Sequence, residues 1–159
     1  MNRRLALLRI CVAVVALTTG HLLAAPASAQ LCSGSGRYTV RLQPGLLVFP
    51  TPTPDDFAAG SIEHGPVVLN VRPRGRANNR WVVCLRADSS DMGNGKPISD
   101  LQYRRDDQTA WTPMSPGDQL LAQGNRGTRI TLQFRILLDE ATDPAGTYSA
   151  DYTATAARQ

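Results

Sequence analysis

The sequence predicts an all-β fold, an antiparallel β-sandwich of about seven or eight short strands forming one domain. Three observations lead there. Apolar residues alternate with polar ones at period two through most of the chain. Gly, Pro, Asn and Asp punctuate it at short intervals, as turns do. No segment shows a convincing amphipathic helical period, which favours two packed sheets over a mixed fold.

The elements follow in chain order. Tyr38, Val40 and Leu42 alternate with Arg37, Thr39 and Arg41, and Pro44-Gly45 ends this first strand as a turn. Residues 46–49 are a short apolar stretch. Pro50, Pro52 and Pro54 then fall at every second position, so residues 50–56 read as an extended connection or a protected edge. Val67, Leu69 and Val71 make the next strand, and a polar turn with Gly75 and Asn78-Asn79 leads into residues 81–85. Residues 101–105 form another strand, closed by Asp106-Asp107-Gln108. Only residues 114–123 could hold a helical turn, and Pro116-Gly117 interrupts it. The clearest strand places Ile130, Leu132, Phe134 and Ile136 on one face, with Arg129, Thr131, Gln133 and Arg135 on the other. A final strand sets Tyr148, Ala150, Tyr152 and Ala154 opposite Thr147, Ser149, Asp151 and Thr153. No internal repeat or interdomain linker is evident.

Before the first strand, residues 1–29 read as a secretory leader. Arg3-Arg4 precede a long apolar run, and Ala27-Ser28-Ala29 ends it as a small-residue cleavage site. Residues 30–159 are then the single mature domain. Arg3-Arg4 bears a faint likeness to a twin-arginine signal, but an oxidised cysteine pair fits Sec-type export of the unfolded chain better. Three of the 17 Lys+Arg lie in the leader, leaving 14 against 13 Asp+Glu, or +1. The basic pI of about 9.3 is therefore largely a property of the leader. That argues against a nucleic-acid partner, and no second apolar run long enough to span a membrane follows. Cys11 lies in the leader, so Cys32 and Cys84 remain as an even pair in an exported chain. Their spacing lacks a CxxC metal pattern and favours one disulfide.

Pro144-Ala145-Gly146-Thr147-Tyr148, followed by an alternating Thr/Ala strand, resembles the closing motif of bacterial Ig-like surface domains, in particular spore-coat-U-type and fimbrial domains. Cys32 shortly before the first strand, the Gly45-Leu46-Leu47-Val48-Phe49 stretch and Asp56-Phe57-Ala58-Ala59-Gly60 are similar to that group as well. The resemblance implies an Ig-like sandwich at the cell surface. Tyr148, two residues after Gly146, is placed to act either as a tyrosine corner, its hydroxyl bound to upstream backbone, or as an ordinary core tyrosine.

The search for chemistry yields few residues. His64 is the only histidine after the leader, stands in a turn-rich stretch, and has no Gly-x-Ser-x-Gly nucleophile to serve. The pairs Asp55-Asp56 and Asp106-Asp107 read as turn residues rather than a glycosidase pair. Asp88, Asp91 and Asn94 lie in a glycine-rich loop and are the best metal candidates, yet neither their spacing nor a terminal Glu matches an EF-hand. Arg72, Arg74, Arg76 and Arg80 are grouped closely enough to clamp a phosphate, sulfate or acidic glycan, though a solvated hairpin tip would look the same. Trp81 alternates with Val83 and Leu85 and belongs to the core. Trp111, flanked by polar and turn residues, is the better candidate for an exposed ring that stacks on a sugar.

These readings add up to a non-catalytic exported or cell-surface sandwich with a structural or adhesive role and no cofactor, in the periplasm, at the cell surface or outside the cell. The alternative is a glycan- or polyanion-binding module. Its partners are other surface or fimbrial proteins, or a glycan, and it acts as a monomer or a strand-exchanged oligomer. Strand donation needs an N-terminal extension, and only residues 30–36 precede the first strand. The chain moreover supplies its own closing strand, so a self-complete sandwich is expected.

Overall fold

A computed structural model describes Cys32 and residues 38–43, 46–73 and 80–158. The leader at residues 1–29, the Pro44-Gly45 turn, Arg74 and Arg76 lie outside those residues. Nine strands and one short α-helix are described: β1 (Tyr38–Gln43), β2 (Leu46–Val48), α1 (Pro54–Ala59), β3 (Ser61–Pro73), β4 (Trp81–Ala87), β5 (Leu101–Arg105), β6 (Thr112–Pro113), β7 (Gln119–Gly124), β8 (Thr128–Leu137) and β9 (Ser149–Arg158). One sheet runs β1-β3-β8-β5-β6 and the other β2-β9-β4-β7, and every pairing is antiparallel. The fold is an all-β sandwich.

The alternation read from the sequence selects the core. Ile130, Leu132, Phe134 and Ile136 of β8 face inward with Leu101 and Tyr103 of β5. Across from them lie Trp81, Val83, Leu85 and Ala87 of β4 and Ala150 and Tyr152 of β9. β3 changes phase midway. Ile62 is buried at an even position, and Val67, Leu69 and Val71 at odd ones. The register shifts between His64 and Val67, where Gly65-Pro66 absorbs the extra residue and Pro66 has no N–H to offer a ladder.

Two expectations are corrected. The proline-rich segment is not extended throughout, because α1 begins at Pro54. Thr53 caps it: its hydroxyl accepts from Asp56 N–H, while the Asp56 carboxylate accepts from Thr53 N–H at 2.8 Å. Pro54 at the first helical position loses nothing, since its N–H would be an orphan there. The segment 114–123 is not helical either. Its second half is β7, paired with β4 through a shift between Val83 and Cys84.

Cys32 and Cys84 form a disulfide with Cα atoms 6.0 Å apart, bridging positions 52 residues apart. Both are buried with Val82 and Ala157 in a small cluster separate from the main core. Val82 and Cys84 alternate with the inward-facing Trp81, Val83 and Leu85, so the bridge lies on the outer face of its sheet. It fastens Cys32 against the β4–β9 pair.

Candidate functional site

The strand register gathers arginines at one end of the sandwich. Trp81 at the start of β4 pairs with Gly124 and Arg158, and Val71 near the end of β3 pairs with Thr128. Arg72, Arg80, Arg105, Arg126, Arg129 and Arg158 therefore stand at the same end. Asp55, Asp56, Asp88, Asp91, Asp100, Asp139, Glu140 and Asp143 occupy the turns and short helices at the opposite end.

At the arginine end, the β7–β8 hairpin and the turn after β5 enclose a cleft of about 400 Å³ whose lining includes Trp81, Arg105, Arg126, Arg129, Asp106 and Asp107. Trp81 is 2 % exposed, as its alternation requires, and its Nε1–H donates to the Arg126 carbonyl at 2.9 Å. That bond holds the hairpin against the core. Arg105 is engaged, with Nε donating to Asp107 at 2.8 Å and a second guanidinium nitrogen contacting the other carboxylate oxygen. Among the described residues, none forms an ion pair with Arg72, Arg80, Arg126 or Arg129. Of the arginines singled out from the sequence, Arg72 and Arg80 belong to this end. Arg105, Arg126 and Arg129 were missed, because only the register brings Arg105 to the hairpin that carries Arg126 and Arg129.

Trp111 does not stand free. It is half-buried, and the guanidinium carbons of Arg104 and Arg135 each lie 4.4 Å from its ring centroid. The two arginines project from adjacent strands on the outer face of their sheet, and Arg135 Nε donates to Gln102 at 2.8 Å. A ring stacked in this way by cations is engaged within the protein.

The residues of the metal candidate point to separate partners. Asp88 accepts from the Thr153 hydroxyl at 2.9 and 3.0 Å, and Asp91 accepts from Gly93 N–H at 3.0 Å. Asn94 takes a left-handed φ of 54° and donates to the Thr147 carbonyl. Among the described residues, no group of three or more His, Cys, Asp or Glu gathers to hold a metal. His64 is half-buried, with Nδ1 2.9 Å from the Gly65 carbonyl and its ring edge-on to Phe49 at 5.5 Å. Tyr148 is fully buried and its hydroxyl donates to the Pro144 carbonyl, the arrangement of a tyrosine corner.

The acidic end holds a cluster that sequence reading did not anticipate. Lys96 is 2 % exposed, the one buried charged residue among those described. Its Nζ donates to Asp143 Oδ2 at 2.6 Å and to Asp100 Oδ2 at 2.9 Å. Burial pushes the ammonium pKa down, but the hydrogen bonds to Asp143 and Asp100 outweigh it and hold the pKa above the ordinary lysine value.

Comparison with protein-family models, characterised proteins and solved structures finds no match for this chain. Among the described residues, no helix is long and apolar enough to cross a membrane.

Proposed function

We propose that this chain is an exported, non-catalytic Ig-like sandwich of the bacterial cell envelope, with a structural or adhesive role similar to that of spore-coat-U-type and fimbrial domains. The strand order supports the reading. The neighbours β1-β3-β8-β5 and β9-β4 follow the A-B-E-D and F-C arrangement of immunoglobulin-type sandwiches, and Tyr148 stands at the start of the F-like strand.

The closing strand carries the proposal. β9 pairs with β4 from Tyr152 to Arg158, whereas β2 covers its other side only at residues 149–151. From Thr153 to Arg158, no strand among the described residues pairs with that other side. An edge of this kind can accept a strand from another chain, since main-chain bonds supply affinity whatever the partner's side chains. Ala154 and Ala156, partly buried against the core along this stretch, are small enough to leave room for incoming side chains. Among the described residues, β2 closes this side of β9 along residues 149–151 alone.

Size-exclusion chromatography of the leader-free protein, followed by unheated detergent gels, tests this. A ladder of detergent-stable oligomers is expected, and a strict monomer at every concentration overturns strand exchange between copies of this chain.

The arginine end supports a second reading, binding of a sulfated or carboxylated polymer. Arg72, Arg80, Arg126 and Arg129 have no ion-pair partner among the described residues, Arg126 and Arg129 line the cleft, and guanidinium groups match such anions two bonds at a time. The protein is expected to be retained on immobilised heparin, with Arg126→Ala/Arg129→Ala eluting at clearly lower salt. Unchanged elution removes the site.

A further inference from the structure

Of the 17 Lys+Arg in the whole chain, Lys96 is the only lysine. A sequence this committed to arginine has placed its one primary side-chain amine in the interior, against two carboxylates. Arginine is the better residue for a buried ion pair, because its planar fork meets carboxylates bidentately and holds its charge. What lysine offers and arginine does not is an amine that loses a proton and becomes a nucleophile.

The geometry around Lys96 suits such chemistry. Asp143 is itself enclosed, its side chain 7 % exposed and Oδ2 2.6 Å from Nζ. The Asp139 N–H also donates to that oxygen, at 2.8 Å, which holds the carboxyl in place. Asp100 reaches Nζ from another side at 2.9 Å, and its side chain is 32 % exposed, so it keeps a path to water. The Tyr148 ring, 5.9 Å from Nζ, is fully buried.

We propose that Lys96 and Asp143 join in an intramolecular isopeptide bond, with Asp100 carrying the protons. A proton passes from the ammonium to the Asp143 carboxylate along their hydrogen bond, leaving a neutral amine and a neutral acid. Nζ attacks Cγ of Asp143, and the developing negative charge falls on Oδ1. Asp100 accepts a second proton from the nitrogen and delivers it to the protonated Oδ2, which departs as water, while Oδ1 becomes the amide oxygen. One N–C bond forms, one C–O bond breaks, and nothing is oxidised or reduced. Net charge is conserved: an ammonium and a carboxylate become a neutral amide, and Asp100 remains ionised where water can reach it. The step is favoured because holding two ions in an enclosed site costs desolvation that an amide does not. Fixed proximity replaces the encounter that makes such condensations slow in solution. The product staples the segment between β4 and β5 to the one between β8 and β9.

Intact-mass measurement of the folded, disulfide-bonded wild-type protein decides the matter. A mass lower than the sequence requires by one water is expected, with fragmentation showing Lys96 joined to Asp143. After denaturation no ε-amine should react with an amine-specific reagent. Lys96→Arg and Asp100→Asn should retain the full mass. Folded wild-type protein at full mass, with Lys96 labelled after denaturation, overturns the proposal and leaves an ion-paired cluster. A water loss that persists in Lys96→Arg overturns it equally, since the bond would lie elsewhere.

Discussion

Trp81 is the residue on which the arginine end depends, and Gly124 is what lets it sit there. The two face each other across the β4–β7 pair. A Cβ added at Gly124 would lie 2.6 Å from Trp81 Cζ2 and 3.0 Å from Cε2. The indole cannot retreat, being buried against the core and tethered through Nε1–H to the Arg126 carbonyl. Gly124→Ala should therefore overpack the site, at a cost of about 1–3 kcal/mol, and shift the Trp81 fluorescence as the ring moves. Gly117→Ala is the matched control. There the nearest atom lies at 3.5 Å, an ordinary contact, so thermal melting should be nearly unchanged. Equal losses in the two variants would show that the effect does not come from the indole.

Single elements decide how much of this protein could be read in advance. β8 was legible because four inward residues alternate without interruption, and β5 because Asp106-Asp107 ends it cleanly. β7 was not, because the shift opposite Val83 and Cys84 breaks its alternation: Leu120 is 47 % exposed, whereas Leu121 and Ala122 are buried side by side. α1 was hidden by the prolines around it, although the Thr53–Asp56 capping pair with Pro54 between them was a readable start signal. The disulfide could be inferred from the even pair of cysteines left after the leader-like segment, and its place on the outer face followed from Cys84 alternating with Trp81, Val83 and Leu85. Closing a loop of this length is worth about 4 kcal/mol in the chain-entropy model, a large share for a domain whose only α-helix among the described residues is α1. The two charged sites needed the register. Arg105 ends β5 while Arg126 and Arg129 belong to the β7–β8 hairpin, and Lys96 meets Asp143 only because the β4–β5 and β8–β9 connections close the same end. The one trace of that cluster in the sequence was the single lysine among 17 Lys+Arg.

At the scale of the molecule, the titratable groups inside the sandwich set one direction of pH sensitivity. Tyr103, Tyr148 and Tyr152 are all buried. Burial raises the pKa of each, that of Tyr152 to about 12. At Tyr148 the Asp143 charge adds to burial, while Lys96 opposes it. An unfolded tyrosine ionises near pH 10. Below that value both states hold the proton and the folded state keeps its full advantage. Between about pH 10 and 12 the unfolded chain releases protons that the folded one retains, so stability falls as pH rises. Lys96 acts in the same direction while it remains an amine. Its folded pKa lies above the usual value, so its contribution is complete below about pH 10.5 and lost as pH climbs through the folded value. Tyr152 alone accounts for about 2–3 kcal/mol over this window, against a typical domain stability of about 5–15 kcal/mol. The melting temperature should therefore be nearly level from pH 7 to 9 and drop steeply above pH 10. Tyr152→Phe should flatten that slope whatever its effect at neutral pH. An absorbance titration of phenolate should show at least one tyrosine in the folded protein still protonated at pH 11. Full ionisation by pH 10.5 in protein that is still folded would mean that water reaches these hydroxyls and that the sandwich core is looser than its packing implies.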